Sequence, residues 1–130
     1  MKRKILIVED NVGLSQMQKD WLSQAGYDAV TAMNETIARS LIRRTQFDLI
    51  LSDVRLPEGD GISLLEWLRK EKKDIPFIIT TEYVSVPDVV RTIKLGAKDY
   101  LPKPVHREHL LELAEDVFRP VATVRKKEKV

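Results

Sequence analysis

The chain has 130 residues, 43% of them apolar, a formal net charge of +2 and no cysteine. That length suits one domain and that apolar share suits a packed core, while the missing cysteines exclude disulfides, thiolate nucleophiles and zinc–thiolate sites. No stretch nears the ~20 apolar residues of a membrane span, and the run after Lys2-Arg3-Lys4 is cut at Glu9, short of the roughly 7–15 apolar residues of a signal peptide. From Arg119 onward, Arg119, Arg125, Lys126, Lys127 and Lys129 face one acid, Glu128, so the tail carries a net +4 and the body −2. The body shows no basic stripe of the kind that tracks nucleic acid, and the whole reads as a soluble cytoplasmic protein.

Residues Lys4–Val8 are a continuous apolar run, as in a strand buried on both faces. Asn11 can cap a helix with Leu14, Met17, Trp21 and Ala25 on one face, and Gly26 stops it. Residues 27–32 read as a second strand, followed by a helix capped by Asn34 and carrying Ile37, Ala38, Leu41 and Ile42. Residues 48–52 form the third strand. Leu56-Pro57-Glu58-Gly59-Asp60-Gly61 is dense in turn residues and reads as a loop, which Asp60 and Gly61 shape. A third helix carries Ile62, Leu64, Leu65, Trp67 and Leu68.

Pro76 opens a fourth strand running to Thr80. Ser85 starts a helix with Pro87 in its first turn and Val86, Val89, Val90 and Ile93 at helical spacing; Gly96 ends it. Residues 99–101 form a short fifth strand, and Arg107–Phe118 the last helix, with Leu110, Leu113, Ala114 and Val117 on one face. Trp21 and Trp67 read as core or half-buried residues. His106 and His109, three apart on that last helix, are too few for a metal site. The apolar period is lost from Pro120, so 1–118 is the domain and 119–130 a basic linker or tail.

Five strand–helix pairs with short links imply an α/β fold. The links imply a parallel sheet with helices on both faces, and one common doubly wound, five-stranded form of such a sheet has the flavodoxin-like order 2-1-3-4-5. In that order strands one and three adjoin where the winding reverses. Glu9 and Asp10 close strand one and Asp53 closes strand three, so three like charges converge and need a cation or a proton. Their oxygens suit Mg²⁺. Thr80-Thr81 and Lys103, at the ends of strands four and five, offer a hydroxyl and an ammonium to phosphoryl oxygens. A carboxylate so flanked can act as a nucleophile toward phosphorus.

Four segments carry a family resemblance: Ile5-Leu6-Ile7-Val8-Glu9-Asp10-Asn11, the stretch from Asp53 to Gly61, Pro76-Phe77-Ile78-Ile79-Thr80-Thr81, and the stretch from Gly96 to Pro104. Through them, residues 3–118 resemble the receiver domain of bacterial two-component response regulators. The run Asp99-Tyr100-Leu101-Pro102-Lys103-Pro104 looks most like receivers of the NtrC type, which are joined to σ54-dependent AAA+ activators.

The resemblance implies that Asp53 takes a phosphoryl group from a sensor histidine kinase. Glu9, Asp10, Asp53 and the backbone carbonyl of Arg55 would hold Mg²⁺. Thr81 and Lys103 would bind the phosphate, with Thr81 and Tyr100 as the switch and the bond to Pro104 cis. Arg55, Glu82 and Tyr83 would tune the phosphoryl lifetime. The face of the fourth helix, fifth strand and fifth helix would then repack, with homodimerisation as one outcome. Transcriptional control would follow through AAA+ and DNA-binding output domains that this sequence does not contain. Such a chain is a phosphoacceptor that takes part in its own phosphorylation and dephosphorylation, rather than an enzyme acting on other molecules.

Glu82 departs from the family pattern, where a small residue usually follows the switch threonine. A carboxylate there can slow phosphotransfer, orient a hydrolytic water, pair with Arg55, or simply face solvent. Two other binding-module readings are a stand-alone receiver and a pseudo-receiver that never takes phosphate. The enzyme rival is a Mg²⁺-dependent topoisomerase–primase-type domain; it wants an Asp-x-Asp pair where this chain has Asp53-Val54-Arg55. A haloacid dehalogenase-type hydrolase fails likewise for want of a second Asp. A flavin-binding relative would want a phosphate loop where Glu9-Asp10-Asn11-Val12 stands.

Overall fold

Strands that are apolar on both faces need a layer of helices on each side, and that is the arrangement found. In the computed structural model, which describes residues 2–82 and 85–119, the chain runs β1 (Lys4–Val8), α1 (Val12–Gln24), β2 (Asp28–Ala32), α2 (Glu35–Arg44), β3 (Leu49–Asp53), β4 (Arg55–Leu56), β5 (Gly59–Asp60), α3 (Gly61–Lys70), β6 (Phe77–Thr81), α4 (Val86–Lys94), β7 (Asp99–Pro102) and α5 (Arg107–Phe118). The main sheet is parallel, in the order β2-β1-β3-β6-β7. This is the five-stranded order expected. The addition is β4–β5, a two-residue antiparallel ladder inside the segment that reads as a loop. Tyr83 and residues 120–130 lie outside the described residues.

Side-chain alternation sorts the core into two layers. Leu6 and Val8 of β1 join Ile50, Phe77 and Ile79 beneath α2 and α3, with Ala38, Ile42, Leu64, Leu65 and Leu68. Ile5 and Ile7 join Leu49, Leu51, Ile78 and Leu101 beneath α1 and α5, with Leu22, Leu110, Leu113 and Ala114. The second parity continues to Glu9, the residue just after β1, and to Asp53, the last residue of β3. The alternation that buries Ile5, Ile7, Leu49 and Leu51 therefore also sets those two carboxylates on one side of the sheet.

Two helices present a different face from the one their apolar spacing predicts. In α1 the buried positions are Ser15, Gln18 and Leu22, while Met17 is exposed and Trp21 half-buried. A small hydroxyl and an unbranched stem let α1 lie close against the sheet. In α4 the buried residue is Thr92, and Val86, Val90 and Ile93 point outward with exposures of 74%, 44% and 65%. Among the described residues nothing covers that stripe.

The other end of α4 is fastened. Arg69, on α3, donates from Nε to Leu95 O (2.6 Å), from one terminal nitrogen to Lys73 O and Ile75 O (2.9 and 3.2 Å), and from the other to Gly96 O (3.3 Å). These carbonyls close the C-terminal ends of α3 and α4, where a cation also meets the favourable end of each helix dipole. Arg91 of α4 pairs with Glu66 of α3 alongside. Arg69→Met is expected to cost about 2 kcal/mol, since hydrogen bonds to a charged donor are worth about 1.5–3 kcal/mol and this one is half-exposed. Urea denaturation checks this: a lower midpoint with unchanged slope is expected, and an unchanged midpoint would mean that water satisfies the carbonyls equally well.

Candidate functional site

The site is built at the C-terminal edge of the sheet. β1 delivers Glu9, which is buried, and Asp10, which is exposed. Glu9 is held from both sides, because its N–H donates to Ala32 O (3.0 Å) and its Oε2 accepts Asn11 N–H (3.0 Å). Asn11 then caps α1 by accepting Leu14 N–H (2.9 Å). Asp53 is the last residue of β3, paired with Thr80, and Val54 N–H donates to Thr80 O (3.1 Å). Gly61 allows this placement. A Cβ on Gly61 would lie 2.3 Å from the Asp53 carbonyl oxygen, so no larger residue fits there without moving the Asp53 backbone. Arg55 N–H donates to Asp53 Oδ1 (3.3 Å).

Lys103 is placed by its own N–H, which donates to Thr81 O (2.9 Å), and it precedes a cis bond to Pro104. Its Nζ lies 2.7 Å from Asp53 Oδ2 and 2.8 Å from Glu9 Oε1. One ammonium is thus shared between two buried carboxylates. Burial pulls the Lys103 ammonium down, but its contacts with Asp53 and Glu9 outweigh that and hold its pKa above the ordinary lysine range. Burial is the largest influence on Glu9 too and raises its pKa, with Lys103 only partly offsetting it. Nζ approaches Glu9 Oε1 outside hydrogen-bond geometry, so this buried oxygen meets a charge but has no aligned donor.

Asp10 completes the group: one oxygen from each of Glu9, Asp10 and Asp53 lies within 4.8 Å of the others. The donor set is all carboxylate, one oxygen lacks a donor, and three negative charges meet one positive. Such a set fits a hard divalent cation such as Mg²⁺. The three acids border a cleft of about 280 Å³ together with Thr81, Glu82 and Lys103. A larger open groove of about 640 Å³ lies at the opposite end of the sheet, near Phe47 and Phe118; of its two acids, Asp48 is engaged by Lys4 N–H (2.7 Å). The cleft, where the acids cluster, is therefore the site.

Of the two threonines that the sequence offers, Thr81 borders the cleft, while Thr80 pairs with Asp53 along the sheet. Thr81 also borders a cavity of about 20 Å³ with Val89, Thr92 and half-buried Tyr100. Glu82 is exposed at the cleft mouth. His106 is the N-cap of α5 without a side-chain capping bond, and His109 is exposed. Asp60 caps α3 by accepting Ser63 N–H (2.6 Å). Sequence reasoning passed over Glu35, a buried carboxylate at the start of α2 that reaches this loop. A glutamate in a first helical turn reads as an ordinary solvated charge, so no signal marked it.

The response regulator receiver domain family matches residues 5–115. The response regulator protein PilR of Pseudomonas aeruginosa is 34% identical over 118 residues, covering 91% of this chain and 26% of PilR. The transcriptional regulatory protein GlrR of Escherichia coli K12 is 32% identical, covering 91% of this chain and 27% of GlrR. Among solved structures, the non-phosphorylated HemR receiver domain from Leptospira biflexa shares 38% identity at a TM-score of 0.84, covering 92% of this chain and 98% of that one. The chain spans about a quarter of the length of these two curated relatives.

Removing one of three crowded like charges stabilises the site when no divalent ion is bound. Asp10→Asn is expected to raise the melting temperature in EDTA by about 2–4 °C. It should also lose most of the further increase that Mg²⁺ gives the unsubstituted protein. Calorimetric scans with and without Mg²⁺ check both effects; an undiminished Mg²⁺ increment in Asp10→Asn would place the ion elsewhere.

Proposed function

The chain belongs to the response regulator receiver domain family, and from that premise we propose that Asp53 accepts a phosphoryl group from a sensor histidine kinase and thereby controls a transcriptional output. The observation that carries this reading is the acid cluster with one shared ammonium: Glu9, Asp10 and Asp53 within 4.8 Å, with Lys103 Nζ between Glu9 and Asp53. Glu9, Asp10, Asp53 and the Arg55 carbonyl would hold Mg²⁺. When bound, the ion offsets charge on the transferring phosphoryl group.

A carboxylate oxygen of Asp53 attacks phosphorus as the bond from phosphorus to the kinase imidazole nitrogen breaks, and the imidazole leaves. The product is an acyl phosphate carrying roughly −1.5 to −2 charges. Lys103 is already within hydrogen-bond distance of Asp53, and its ammonium turns to the new oxygens. The Thr81 hydroxyl donates to another. Withdrawal of Thr81 enlarges the small cavity it borders with Tyr100, and the Tyr100 ring moves inward. α4, tied down at its C-terminal end by Arg69, is repositioned at its N-terminal end, which follows β6.

The outward stripe of Val86, Val90 and Ile93 supports a binding role for the face formed by α4, β7 and α5. A partner or a second copy of the domain would meet it there. PilR and GlrR are named as a response regulator and a transcriptional regulatory protein, which supports a transcriptional output delivered through further domains. Tyr83 is assigned a lifetime-tuning role by the same family reading. Glu82, at the cleft mouth, repels anionic phosphodonors and slows their entry.

Intact mass after incubation with acetyl phosphate tests the reading. A single phosphoryl adduct is expected that requires Mg²⁺ and is absent in Asp53→Asn; no adduct in the unsubstituted protein would leave a pseudo-receiver. Glu82→Ala is expected to speed adduct formation about two- to fivefold, the effect of removing roughly 0.5–1 kcal/mol of repulsion at an exposed position. Unchanged rates of formation and decay would return Glu82 to an ordinary solvated residue.

A further inference from the structure

We infer that Glu35 is a positioning residue for the metal site: it clamps the β4–β5 loop and so fixes the Arg55 carbonyl beside Asp53. The inference rests on the reading of that site given above. Glu35 is the first residue of α2, a position where a carboxylate is ordinarily solvated and favoured by the helix dipole. Here it is buried, at 5% exposure. Both of its oxygens are engaged across the fold. Oε1 accepts Asp60 N–H at 3.2 Å. Oε2 accepts the Ser63 hydroxyl at 3.2 Å and pairs with Arg39 one turn along α2. One carboxylate thus joins α2 to β5 and to the first turn of α3.

Gly59 is the complement of this contact. A Cβ at Gly59 would lie 2.4 Å from Glu35 Oε1 and 3.3 Å from Glu35 Cβ, and the residue sits at a φ of +143°. The bare backbone of the loop leaves the space that the Glu35 side chain fills. The charge is offset by Arg39, whose guanidinium lies over the Trp67 ring at 5.1 Å from the centroid.

The link to the site runs through the ladder. Asp60 stands opposite Arg55 and Gly59 opposite Leu56. Two residues per strand cannot hold a hairpin in place unaided. Its outside fastenings include Arg55 N–H on Asp53, the buried Leu56 side chain, and Asp60 on Glu35. The first two hold the β4 side; on the β5 side Glu35 acts alongside the Asp60 cap of α3 and Gly61 N–H, which donates to Val54 O (2.8 Å), and it is the tie that reaches across to α2. Groups behind a metal's direct ligands set where those ligands point and measurably tune affinity.

The alternative is that Glu35 only contributes to α2–α3 packing, and two conservative substitutions separate the cases. Glu35→Asp keeps the charge for Arg39 but withdraws it from Asp60 by one methylene. Glu35→Gln keeps the reach and an acceptor for Asp60 N–H but loses the charge. Ile42→Val, in the buried face of the same helix, serves as a variant that lowers stability without touching the loop. Mg²⁺ affinity is read by titration calorimetry on the full chain, with melting temperature recorded for each. Glu35→Asp is expected to weaken Mg²⁺ binding about tenfold. Glu35→Gln should stay within about threefold of the unsubstituted protein, and Ile42→Val should match it. Unsubstituted affinity in Glu35→Asp, or equal weakening in Glu35→Gln and Ile42→Val, would overturn the role of Glu35 alone. Failure of the unsubstituted protein to bind Mg²⁺ would overturn this inference together with the site reading beneath it.

Discussion

One ammonium between two buried carboxylates is the interaction on which the site depends. Lys103 Nζ lies under 3 Å from both Glu9 and Asp53. Without it, two acids at the ends of neighbouring strands would face each other uncompensated, and burial already disfavours the charged form of Glu9. Each of the three residues is fixed by the sheet. Glu9 and Asp53 follow the strand alternation of β1 and β3, and the Lys103 backbone is tied to Thr81 at the end of β6. The bond network is thereby loaded on the side where the phosphoryl group is proposed to arrive. It holds two more negative charges than it balances, one of them on Asp10, and it keeps an under-satisfied oxygen on Glu9.

The two layers of core explain why charge at this edge can move something. The α2–α3 pair and the α1–α5 pair each bury several large apolar side chains against the sheet. α4 buries only Thr92 fully, turns Val86, Val90 and Ile93 outward, and relies on polar ties from Arg69 and Glu66 near its C-terminal half. A helix with little buried apolar surface is an element of low local stability. Thr81 and Tyr100 share a small cavity with α4 residues Val89 and Thr92. The site and the weakly packed helix thus meet at one point, the geometry that a local charge event needs in order to bias a larger element.

Most of the fold was legible because its three central strands, β1, β3 and β6, are buried on both faces and read as largely apolar runs, and caps and glycines bound the helices between the strands. Strand ends then located Glu9, Asp10, Asp53, Thr81 and Lys103 without reference to any side-chain contact. Helix phases were less legible. In α1 Ser15 and Gln18 point inward with Leu22, and in α4 Val86, Val90 and Ile93 face out, so apolar spacing misplaces the inward stripe in both. The β4–β5 ladder was hidden because Leu56 to Gly61 consists of turn formers, and four residues in a ladder leave no period to read. Glu35 was invisible for a different reason. Its partners Asp60 and Ser63 lie 25 and 28 residues away, and the only local trace of the contact is a glycine at 59 in a segment already expected to contain one.

Asp53 is the carboxylate proposed to carry the phosphoryl group, with Glu9 and Asp10 as unmodified oxygen donors. Borohydride reduction of the protein treated with acetyl phosphate and Mg²⁺, followed by peptide mass mapping, distinguishes the three directly, because reduction converts an acyl-phosphorylated aspartate into homoserine. Homoserine at position 53, with Glu9 and Asp10 unchanged, is the predicted result. Conversion at Asp10, or an unreduced Asp53 in protein that has taken up phosphate, would contradict it.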